Sequence, residues 1–219
     1  MSFIFVLLEP FLCIARRFDL FFQLAKRSIE LQHKGSHLGL VWSFLQPLLL
    51  LTVYVFVFGY IFGGSFEDGE TKFEYGLKIF IGIICIHFVS EVIAGAPLCI
   101  VSNPSYVKKV VFPLEILPPS SVATALFHFS IGLVLAGIGL VFNGSIASSQ
   151  ALLFPLIFLP MILLALGVSW LISALGVFFR DVSQLIPFLS IVLLFSSAVF
   201  YSPNDIPEAA FQYLKYNPV

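Results

Sequence analysis

Two side chains that can carry chemistry, His87 and Glu91, lie deep in a long apolar run, four residues apart and so on one face of a helix. The chemistry open to them is metal ligation, or the acid–base work of a membrane-embedded transferase, for which His128 is a further candidate. Two ligand-type residues fall short of the three or four that a metal needs, so no metal or cofactor is expected. The structural alternative is a pair that seals a helix bundle or lines a wet cavity at membrane depth. On that reading Glu91→Gln leaves activity largely intact.

The remaining polar residues form no catalytic set. There is no GxSxG, no HExxH, no Walker phosphate loop and no cluster of acids at one depth, so the chain is read as a non-enzyme. Cys13, Cys85 and Cys99 are scattered through apolar stretches without CxxC spacing and read as packing residues. No basic patch interleaved with aromatics stands on a polar background, which argues against a nucleic-acid partner.

The elements that must position these residues are membrane spans. With 59% hydrophobic and 11% charged residues and a mean hydropathy of +1.05, 219 residues cannot hide their apolar surface in a soluble core. The expected fold is all-α and polytopic, one unit over 1–219. An amphipathic helix at 16–34 lies on the membrane: Phe18, Phe21, Phe22, Ala25 and Ile29 form its apolar face, and Lys26, Arg27 and Glu30 are among the residues of its polar face. The alternative is an ordinary cytoplasmic helix packed on protein. Met1 to Ala15 has no positive leader and reads as a short interfacial or re-entrant segment, not a cleaved signal.

Five spans follow, over about 38–62, 77–101, 121–142, 152–179 and 185–201, the first interrupted by Pro47 and expected to kink there. Eight Lys and Arg residues fall on the side of the N-terminus and three on the other, which puts the N-terminus in the cytoplasm. Between spans 2 and 3 the connection 102–119 carries Lys108 and Lys109 framed by prolines, a stiff cytoplasmic elbow suited to a partner, or a plain proline-stiffened turn. Tyr54 and Phe58 share a face of span 1, and Phe188 and Phe195 share a face of span 5. Such faces can stack on sugar rings or simply pack.

Several motifs carry a resemblance. The run from Lys34 through Gly39, Trp42 and Gln46-Pro47 to Leu48, its continuation Val53 to Gly59, Phe112-Pro113-Leu114-Glu115 through Pro118, Gly176 to Gln184 around Arg180-Asp181, and Tyr216-Asn217-Pro218 are similar in order and spacing to ABC-2 type permeases of polysaccharide exporters. The resemblance covers about residue 16 to the end. It implies an inner-membrane permease for lipid-linked O-antigen, capsular polysaccharide or teichoic acid, working as two copies with a separate ATP-binding subunit. It implies that the amphipathic helix (Lys26, Arg27) and the 103–110 loop (Asn103, Ser105, Tyr106, Lys108, Lys109) dock on that subunit. Spans 1 and 5 of two copies, with Tyr54, Phe58, Phe188 and Phe195 as lining candidates, would form the channel. The tail 202–219 would re-enter from outside. Members of the family go on past the Asn-Pro to a sixth span, so a chain ending at Val219 is read as truncated. An ABC-2 permease for drugs or lipids, the membrane-embedded transferase and an inactive scaffold are the alternatives.

Overall fold

The computed structural model describes residues 9, 11–63, 71–108, 112–144, 154–197 and 199. Among them there are helices and no strands. A short helix, α1 (residues 11–16), precedes α2 (Phe18–Gln32). The first span is composite: a 3₁₀ turn (Gly39–Val41), α3 (Trp42–Tyr54) and a π-helical stretch (Val55–Ile61). Then come α4 (Lys72–Cys99), the short α5 (Pro104–Lys108), a 3₁₀ turn (Leu114–Ile116), α6 (Leu117–Phe142), α7 (Phe154–Phe178) and α8 (Val182–Ser196).

Four of these stretches are long and apolar enough to cross a bilayer: 39–61, 72–99, 114–142 and 158–178. The fifth expected span is described over the 15 residues of α8, which at a rise of about 1.5 Å per residue falls short of a hydrocarbon core of about 30 Å. The expected end of that span, at Tyr201, and the re-entrant tail lie outside the described residues.

Helix α4 is the hub. Half of its most apolar window is buried, against 17% for the first span, so the other helices are arranged around it. Leu77, Ile79, Phe80 and Phe88 are almost wholly covered. Its N-terminus is set by a capping box, in which Thr71 Oγ1 accepts from the Glu74 amide and Glu74 Oε2 accepts from the Thr71 amide. Helix α6 runs antiparallel beside it, entered through Pro118 and Pro119 at its first turn, where prolines cost nothing in lost bonds. Contacts step down one helix as they climb the other. Asn143 Nδ2 donates to Glu74 Oε1 at 2.7 Å, Gly139 faces Leu77, Gly132 faces Ile84, and Phe88 meets Phe129. Helix α7 closes the third side with Phe158, stacked on Phe129 at 4.1 Å and 4° and 5.2 Å from Phe88.

In the first span the α-helix continues through Pro47, and an irregularity comes later, where Phe62 N–H bonds Val57 C=O at 2.9 Å in the wider π pattern. That stretch packs closely on α4. A Cβ at Gly76 would lie 2.6 Å from Val55 Cα, and one at Gly59 would meet the Lys72 carbonyl. The backbones touch there, and the widened turn follows the contact.

Helix α2 packs on the bundle through part of its apolar face and leaves the rest exposed. Leu24 and Ala25 are buried, and Leu24 packs on Ile116 and Leu117 at the entry to α6. Phe18 and Phe22 stand about 60% exposed, an aromatic edge one turn apart.

Candidate functional site

Two features converge at the end of the bundle that holds α2, the α5 corner and the α8 turn. The first is a bolted corner. Arg27 Nη1 donates to Tyr106 Oη at 2.7 Å, tying α2 to α5. The Tyr106 ring stacks on Phe112 at 4.6 Å and 15°. Asn103 Nδ2 donates to the Cys99 carbonyl at 2.9 Å and finishes α4, while Ser102 Oγ takes the Leu98 carbonyl. Trp170 Nε1 of α7 donates to the Glu115 carbonyl at 3.0 Å, and Ser169 Oγ reaches Pro118 O, so the far side of the corner is fixed too. Proline stiffness was legible in the sequence. These bonds, which join the elbow to two distant helices, were not.

Of the expected docking residues, Arg27, Asn103 and Tyr106 thus meet within one corner. Lys26 is exposed beside Glu30 at 4.0 Å, and Ser105 is exposed. Lys109 and the side chain of Lys108 lie outside the described residues. Arg27 and Tyr106 therefore form the joint of the corner, and the exposed Arg27, Lys26 and Ser105 belong to its surface.

The second feature is a cleft of about 290 Å³ between α2, the first span, α4 and α6. His33, Ser43, Gln46, His87, Glu91 and His128 give it polar walls; Leu50, Ile83 and Phe88 are among its apolar ones. His87 and Glu91 both line it from one face of α4; His87 is exposed there and not buried, and Glu91 Oε1 bonds His128 Nδ1 of α6 at 2.7 Å. Residues four apart on one helix share a face, but the antiparallel register of α4 and α6 brings His128 across the gap to Glu91. Glu91 Oε2 is buried with no protein partner among the described residues.

His33 is the residue missed. Its Nδ1–H donates to the Ile29 carbonyl at 3.0 Å, which leaves Nε2 to accept from Ser43 Oγ, also at 3.0 Å, in the neutral ring. The first bond holds the ring against the end of α2, and the second fastens it to the first turn of α3. The His33 and His128 rings meet edge to face at 6.2 Å. A histidine just past the end of a basic helix reads as one more polar residue, and only its fold-mates reveal the joint. Among the described residues no group of three or more potential ligands could hold a metal ion.

The aromatic lining candidates separate. Tyr54 and Phe58 stack at 5.8 Å and pack, half-buried, on Tyr75, Ile79 and Ile83 of α4. Phe188 and Phe195 stand about 65% exposed along one face of α8.

Residues 19–219 match the ABC-2 type transporter family. The chain belongs to that family. An ABC-2 membrane domain agrees with the four long apolar helices and with the elbow that joins α4 to α6. Among curated relatives, the chain is similar to the O-antigen export system permease protein RfbA of Klebsiella pneumoniae, 25% identical over 92% of this chain and 76% of that protein. It is similar to the O-antigen export system permease protein RfbA of Myxococcus xanthus, 26% identical over 86% and 70%. A third relative is the polysialic acid transport protein KpsM of Escherichia coli, 21% identical over 88% and 74%. As an ABC-2 permease subunit, the chain is a transport component and not a catalytic enzyme.

Proposed function

We propose that this chain is the permease subunit of an ATP-driven exporter that moves lipid-linked polysaccharide across a bacterial inner membrane, with its N-terminus in the cytoplasm. The names of its relatives support the substrate class. The observation that carries the coupling is the Arg27–Tyr106 bond. It makes the basic helix α2 and the α5 elbow one body, so that a push on either reaches both α4 and α6. The sequence has no phosphate-binding loop, so nucleotide work falls to a separate ATP-binding subunit docked on that body. Its two conformations bias the permease through the elbow. A second copy completes the channel. The exposed Phe188 and Phe195 of α8 are its candidate lining, with Tyr54 and Phe58 as the packed edge of the first span.

The test is co-expression with the ATP-binding subunit of an O-antigen exporter in a strain lacking its own O-antigen permease. Polymer at the cell surface is the expected outcome, and membrane-inserted protein with no surface polymer would refute the substrate. Lys108→Glu with Lys109→Glu should abolish co-purification of the ATP-binding subunit. Tyr106→Phe should keep the subunit bound and lower export several-fold, because the corner loses a charge-assisted bond worth about 1.5–3 kcal/mol. Equal export by Tyr106→Phe and wild type would show that the corner transmits nothing.

A further inference from the structure

The Glu91–His128–His33 cluster has no part in the exporter reading above. Glu91 lies about 12 Å along α4 from its Cys99 end, at 1.5 Å per residue, within the half of the bundle nearest α2. A second hollow, of about 370 Å³, is lined by Ser28, Gln32, Glu91, Gly95, Ser121 and Thr124. It shares Gln32 and Glu91 with the first cleft, so these two residues stand between the surface of α2 and the cleft that holds His87. The titratable side chains that line the two are His33 from α2, His87 and Glu91 from α4, and His128 from α6; the first span contributes Ser43 and Gln46, which do not titrate. Among the described residues, α7 and α8 contribute none to either lining.

We propose that this cluster is a proton-binding site, and that its protonation state decides whether the end of α2 is joined to the first span. A carboxylate with one bonded oxygen and one orphan oxygen is costly at this depth, and a proton on the Glu91–His128 pair removes the uncompensated charge. With His33 neutral, Ser43 Oγ–H donates to Nε2 and the joint between α2 and α3 is closed. A second proton, on His33 Nε2, reverses that bond: Nε2–H must now donate, and the hydroxyl must turn. It also sets two cationic rings 6.2 Å apart with a single carboxylate to balance them. The joint is therefore closed with His33 neutral and loosens when that ring takes a proton.

The inference concerns the chain alone and stands apart from the substrate and the ATP-binding partner. The experiment uses the full chain in lipid nanodiscs, with Cys13, Cys85 and Cys99 replaced and spin labels at the exposed positions Leu31 and Val134. The distance between labels is followed from pH 5 to 8. The expected result is one transition between pH 5 and 8 in the parent, absent in both His33→Gln and His128→Gln and kept in His87→Gln. Ring-nitrogen magnetic resonance of the parent provides a reading without those variants: His33 Nε2 should change from acceptor to N–H over the same interval as the distance. A distance that does not change with pH, a transition that survives both substitutions, or a His33 ring unchanged over that interval would each overturn the proposal.

Discussion

Gly176→Val is expected to undo the docking of α7 on α4. A Cβ at Gly176 would lie 2.7 Å from Pro97 Cα and 2.9 Å from its carbonyl carbon, with the carbonyl oxygen closer still. These are backbone atoms of the hub helix at a fully covered residue, so no rotamer change relieves the clash. Overpacking of a core usually costs 1–3 kcal/mol, and a contact with rigid backbone belongs at the top of that range, about 3 kcal/mol. Two other glycines serve as controls. Gly167 has nothing within 4 Å of its Cβ position, so Gly167→Ala should melt at or slightly above the parent, since helical glycine carries a cost of roughly 0.5–1 kcal/mol relative to alanine. Gly139 meets a side-chain methyl of Leu77 at 3.0 Å, which can give way, so Gly139→Ala should fall between the two. Thermal unfolding in detergent ranks the three. A Gly176→Val protein as stable as Gly167→Ala would mean that α7 does not cross α4 at Pro97.

The second large effect concerns the Glu91–His128 bond. His128→Leu removes the donor at 2.7 Å and leaves a carboxylate at membrane depth with neither oxygen bonded. Breaking a fully buried pair costs about 3–5 kcal/mol. Both side chains here are about one-fifth exposed to the cleft, and hydration should reduce the loss to about 2 kcal/mol. Replacing both residues, Glu91→Leu with His128→Leu, removes the charge together with its partner. The double variant should return to within about 1 kcal/mol of the parent in the same unfolding assay. Equal losses in the single and double variants would show that the cost comes from the shape of the cleft and not from the stranded charge. Glu91→Gln is the gentler change, because an amide oxygen still accepts from His128.

Composition and periodicity were enough to read a bundle of apolar helices in this chain. Runs of about 20 apolar residues have no stable home in water, and that reading needs no tertiary contact. The amphipathic α2 and the proline-framed elbow were legible for the same reason: local pattern and backbone restriction are properties of neighbours in sequence. Motif order likewise sufficed to suggest the ABC-2 family, whose match then extended over residues 19–219.

Partnership was what the linear pattern could not decide. Glu91 and His87 were read as one pair because helical spacing makes them neighbours; both line the cleft, and the Glu91 bond goes to His128, 37 positions away. Arg27 and Tyr106 were each read as docking groups, and the bond between them spans 79 positions. Pro47 marked where a helix loses a hydrogen bond; the π-helical stretch beyond it, where Gly59 and Gly76 let two backbones touch, carried no such mark. In each case local chemistry determined what a residue needs, whether a donor, an acceptor or room. Which residue meets that need depends on the antiparallel register of α4 and α6 and on the close crossings at glycine, and these arise only when the helices pack.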